Sequence, residues 1–142
     1  MPNIIPEIAE GLKEYIETNQ VDIIGAGETL NVIIDGFNEN SELPGVMITE
    51  NAGLGGHPDI PSMSFGSVYI WTRSDSVEQA KLLSRKIDQK LHRFGPGILS
   101  SDIYVWSMLR NTNPQRLDDP DSNLAQYFIL YDVVCRELIE GA

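Results

Sequence analysis

The sequence predicts an α+β fold: a mostly antiparallel sheet of four to five strands with two main helices, in the order α-β-β-β-α-β-β. Three observations carry that expectation. Residues 6–19 and 77–93 place apolar side chains at helical spacing, several other segments alternate with a period of two, and Gly, Pro, Asn and Asp punctuate the chain between them. The 142 residues suit a single domain spanning 1–142.

The first helix is expected from Pro6 to near Asn19, with Ile8, Ala9, Leu12, Tyr15 and Ile16 on one face and a proline in its first turn. Two strands follow, Asn31 to Phe37 and Gly45 to Asn51, joined by a polar connection that suits an antiparallel hairpin. Residues 52–66, AGLGGHPDIPSMSFG, hold four glycines and two prolines and predict a mobile loop containing Gly53, Gly55, Gly56, His57 and Asp59. A strand from Ser64 to Thr72 overlaps its end. Ser74, Asp75 and Ser76 then supply capping chemistry for a helix over 77–93, whose inner face is Val77, Ala80, Leu83, Ile87, Leu91 and Phe94. Gly95-Pro96-Gly97 stops it. Strands over Asp102 to Leu109 and Ala125 to Leu138 complete the order, the second with an end that is also compatible with helix.

Charge excludes one class of function. At −11, the chain is poorly suited to a surface that binds nucleic acid by replacing counterions with Lys and Arg. The distribution is uneven: residues 1–60 hold eleven acids and one base, whereas residues 61–142 hold ten acids and nine bases. Half of the bases, Lys81, Arg85, Lys86, Lys90 and Arg93, fall in the second helix. This pattern suits a solvated helix face or a basic surface on one copy meeting an acidic one on the next. No apolar run reaches the roughly eighteen residues that span a bilayer, so no membrane partner is expected. The single Cys135 sits in an apolar run and reads as a core residue of an intracellular protein.

Four motifs carry residue types associated with binding or catalytic chemistry. VDIIGAGETL, Val21 to Leu30, has Gly25 and Gly27 but Leu30 where a dinucleotide fingerprint needs its third glycine, and a strand-like run follows it; a glycine turn is expected. No Lys-Ser or Lys-Thr follows the glycine-rich loop, so no phosphate-binding loop forms there. His57 near Asp59, with Ser62 or Ser64, offers the residue types of a catalytic triad without its geometry. Asp119, Asp121 and Asn123 begin like a calcium loop, but Leu124 and Leu130 occupy positions that need Gly and Glu. Two histidines and one cysteine, none close together, do not make a zinc site, and no cofactor is expected.

The strands themselves are more informative. Tyr69, Trp71 and Arg73 share one parity, as do Tyr104, Trp106, Met108 and Arg110, and Tyr127, Ile129 and Tyr131 are expected to continue the set. These are residue types enriched in protein interfaces. The opposite parity, Val68, Ile70, Ile103, Val105, Phe128 and Leu130, reads as aliphatic core. Two helices cover one face of such a sheet, leaving an aromatic face for a partner, unless the helices divide between the faces or the long loops cover one.

SVYIWTRSDSVEQAKLLSRKIDQKLHRF, within this order of elements, resembles the tail-terminator or tail-completion proteins of long-tailed bacteriophages. The resemblance extends over nearly the full chain as a pattern, from the N-terminal helix through the glycine-rich loop to the closing strand YFILYDVVCREL. It implies a non-enzymatic virion part of the tail or neck, assembled in the bacterial cytoplasm. Such proteins form a hexameric ring that stops tail-tube growth and meets the head connector or stopper. DNA passes through the lumen without specific binding. The alternatives are another head-tail joining protein, a small-ligand or peptide-binding domain using the aromatic face, and an enzyme built on His57.

Overall fold

The computed structural model describes residues 8–34, 43–56, 64–100, 103–117 and 124–137. Helices α1 (Ile8–Thr18) and α2 (Gln20–Ile24) precede strands β1 (Asn31–Ile34), β2 (Gly45–Gly56) and β3 (Ser64–Ser74). Helix α3 (Val77–Leu91) is followed by β4 (Gly97–Ser100), β5 (Ile103–Arg110), β6 (Gln115–Arg116) and β7 (Ala125–Glu137). Among the described residues, seven strands form one sheet in the order β1-β2-β3-β7-β5-β4, with β6 pairing β7 beyond the end of β5.

This corrects the expected fold class. The sheet has seven strands rather than four or five, it curls strongly into a half-barrel, and a third helix is present. The first two strands pair in parallel, Val32 opposite Val46 and Ile34 opposite Ile48, instead of forming an antiparallel hairpin. The residues read as a mobile loop are strand at both ends: Gly53, Gly55 and Gly56 belong to β2 and Ser64 to Gly66 to β3. The pairing shifts between Asn51 and Gly55, an irregularity that suits a glycine-rich strand. His57 and Asp59 lie outside the described residues, as does the acidic turn at 118–123.

Alternation places Val46 and Ile48, Val68 and Ile70, Ile129, Tyr131, Val133 and Cys135, and Ile103 and Val105 in one buried layer. Both long helices cover that layer. Ile8, Leu12 and Ile16 of α1 and Leu83, Ile87 and Leu91 of α3 are fully or almost fully buried in the same cluster. Helix α1 touches β1 and β2 at one end of the strand order and β4 at the other, so the sheet curls toward its helices. Gly11 permits this approach: a Cβ there would lie 3.1 Å from Ile103 Cγ1 and 3.2 Å from Ser100 Oγ.

Local hydrogen bonds fix the helices. The Ser76 hydroxyl accepts from the Gln79 N–H at the start of α3, as the capping sequence predicts. In the first turn of α1, where no intrahelical acceptor exists, the Ala9 N–H donates to Glu50 of β2 at 3.4 Å. The Val21 to Leu30 segment is the end of α2, a turn with Gly25 at φ 108° and Gly27 at φ 81°, and the approach to β1.

Candidate interaction surface

The sheet face opposite α1 and α3 carries Met47 on β2, Tyr69 and Trp71 on β3, and Phe128 and Leu130 on β7, placed side by side by the strand register. The Trp71 and Phe128 rings lie 5.0 Å apart between centroids, and Tyr69 packs 5.8 Å from Phe128 and 5.9 Å from Trp71. Further along, Tyr104 meets Trp106 edge-on at 5.1 Å, and the Arg136 guanidinium stands 5.2 Å from the Tyr104 ring. Trp106 and Leu109 are 43% and 48% exposed. Trp71 Nε1 and Arg136 Nε are shielded from solvent and meet no acceptor among the described residues. The long helices pack on the other face; on this one Met47, Tyr69, Trp71, Phe128 and Leu130 are half-buried, and Trp106 and Leu109 are exposed.

Four members of the expected face are elsewhere. Tyr127, Ile129 and Tyr131 point into the core, and their neighbours Phe128 and Leu130 take the outer face. Both parities of YFILY are apolar, so alternation alone does not decide which one faces the helices. Met108 is also fully buried. The pairing of β5 with β7 shifts between Val105 and Ser107, leaving Trp106 as an extra residue; each later side chain therefore changes face.

Several expected interface cations are held within the subunit. Arg110 pairs with Asp88 of α3, and the fully buried Tyr131 donates its hydroxyl to the other Asp88 oxygen at 2.8 Å. Burial and the Asp88 carboxylate push the Tyr131 phenol far above its ordinary range. Arg73 is 8% exposed and donates from Nε to Gln126 at 3.2 Å. Lys90 reaches Asp22 of α2 at 2.9 Å, a contact that raises its pKa. Arg93 follows α3 in the left-handed region at φ 66°, its backbone N–H bonded to the Met108 carbonyl. The basic side chains still directed outward on α3 itself are Lys81, Arg85 and the half-buried Lys86.

The polar groups of the core serve architecture. His92 Nδ1 accepts the Arg110 backbone N–H at 3.0 Å. Cys135 is buried, and desolvation pushes its thiol up to about 11. Among the described residues, no group of three or more His, Cys, Asp or Glu side chains is placed to hold a metal ion. No described helix is long and apolar enough to cross a membrane.

No family model matches the sequence, and no curated protein matches it. Among solved structures, the chain is similar to one from the virion of a native gene transfer agent particle. The TM-score is 0.61 at 7% identity, covering 91% of this chain and 94% of that one. At this identity the likeness establishes a shared fold.

Proposed function

We propose that the chain is a non-enzymatic virion structural protein of the tail or neck, working as a tail terminator. It forms a closed ring, on the family's pattern of six copies, that caps the tail tube and joins it to the head connector. The observation that carries this reading is the fold shared, over nearly the whole of both chains, with a component of a virion particle. The helix-free aromatic face supports it, because a surface of clustered Tyr, Trp, Phe and Leu gains most when a partner removes it from water. Its mechanism is geometric: one rim matches the last layer of the tube, and the other offers the connector a surface on which the tube does not propagate. Net negative charge lets DNA slide through the lumen instead of sticking to it.

Electron microscopy of the purified protein tests this. Closed rings with a central channel are the expected particles. Discrete compact monomers, alone and after mixing with tail tubes, would overturn the ring and with it the terminator role.

A further inference from the structure

The two long helices turn faces of opposite charge to solvent. On α1, Glu10, Glu14 and Glu17 are exposed at the i, i+4, i+7 spacing that aligns them in one stripe, with Lys13 half-buried beside them, and past the turn at Asn19 the aliphatic Val21 of α2 is 59% exposed. On α3, the exposed residues are Val77, Glu78, Lys81, Leu82, Arg85 and Gln89, with Lys86 half-buried at the margin, so the face is positive on balance. Leu82, 55% exposed, sits among the three cations. The ion pairs Lys90–Asp22 and Arg110–Asp88 use none of these charged residues.

We infer that the acidic face of α1 docks on the basic face of α3 in a second copy of this chain, with Leu82 and Val21 as the apolar contacts within the charged surround. The two faces stay opposite in net charge with Lys13 and Glu78 counted, and the exposed aliphatic side chains Leu82 and Val21 gain from leaving water in the contact. Different patches of one subunit meet, so the contact can repeat from copy to copy and close a ring. The inference rests on the ring reading and deepens it by naming the surfaces that join neighbours. The aromatic sheet face stays free for the tube or connector.

Charge swapping tests the contact. One variant carries Glu10→Lys, Glu14→Lys and Glu17→Lys; a second carries Lys81→Glu, Arg85→Glu and Lys86→Glu; a third carries all six. Each three-site variant, with its circular dichroism unchanged, is expected to associate with itself at least about 100-fold more weakly than the parent, because like charges then face each other. Mixing the two is expected to restore assembly, since each presents the complement of the other, and the six-site variant is expected to assemble alone. Both three-site variants assembling like the parent would overturn the contact while leaving the ring standing. Failure of both the mixture and the six-site variant to recover would also overturn it. A parent protein that never oligomerises would remove the ring reading itself.

Discussion

The Asp88 carboxylate is the most consequential polar group inside the fold, and its removal makes a quantitative prediction. It accepts the hydroxyl of the fully buried Tyr131 at 2.8 Å and pairs with Arg110, tying α3 to β7 and β5 together. Tyr131→Phe removes one hydrogen bond, at a cost of about 1 kcal/mol. Asp88→Ala does more, because it leaves a hydroxyl that water does not reach without an acceptor and frees Arg110, whose side chain is 31% exposed. The unsatisfied hydroxyl costs about 2 kcal/mol and the partly exposed ion pair about 1, for a total of about 3 kcal/mol. In the Tyr131→Phe background only the ion pair is lost, so the double variant should lie about 2 kcal/mol below the parent, with a coupling of about 2 kcal/mol. Urea unfolding followed by circular dichroism, at a protein concentration where the four chains have the same mass in solution, measures the cycle. Additivity within about 0.5 kcal/mol would refute the reasoning, because the hydroxyl would then owe nothing to Asp88.

Three other perturbations have defined outcomes. Cys135 titrates at about 11 when folded against 9.0 when exposed, so the folded state holds the proton longer; stability should be intact below pH 9 and fall through the pH 9 to 11 interval, and Cys135→Ala should flatten that slope in urea titrations at each pH. Gly95→Ala forces a side chain onto a backbone at φ 107° and puts its Cβ 3.0 Å from the Val105 and Trp106 carbonyl oxygens, so a thermal melt should report a loss of about 3 kcal/mol. Trp106→Lys with Leu109→Lys alters only exposed positions of the outer face: unfolding free energy should change by no more than about 0.5 kcal/mol, while co-sedimentation with tail tubes or connectors should be lost, and normal joining would remove this face from the interface.

The long elements were legible because their patterns extend over many residues. Helix α3 has its core face at Ala80, Leu83, Ile87 and Leu91 and its cap at Ser76, as the spacing predicts, whereas Val77 in its first turn is exposed. Strands β3 and β7 are strong β-branched and aromatic runs that pair along the whole length of β3. What escaped was short or non-local. Gln20–Ile24, Gly97–Ser100 and Gln115–Arg116 have too few residues for a period to show. The direction of β1 against β2 depends on how the chain returns, which side-chain alternation does not encode. The outer face was half legible: Tyr69, Trp71, Tyr104 and Trp106 lie on it, but an extra residue in β5 moved Met108 to the core, and the doubly apolar YFILY concealed the orientation of β7. Lys90 and Arg110 looked like free interface cations because their partners, Asp22 and Asp88, lie 68 and 22 residues away.

Sedimentation velocity on the purified chain, across concentration and salt, tests the central claim most directly. A ring predicts one closed species at a fixed multiple of 15.8 kDa whose size does not grow with concentration, and which weakens as salt screens the contact between α1 and α3. A species of 15.8 kDa at every concentration, or an open series that lengthens without limit, would contradict it.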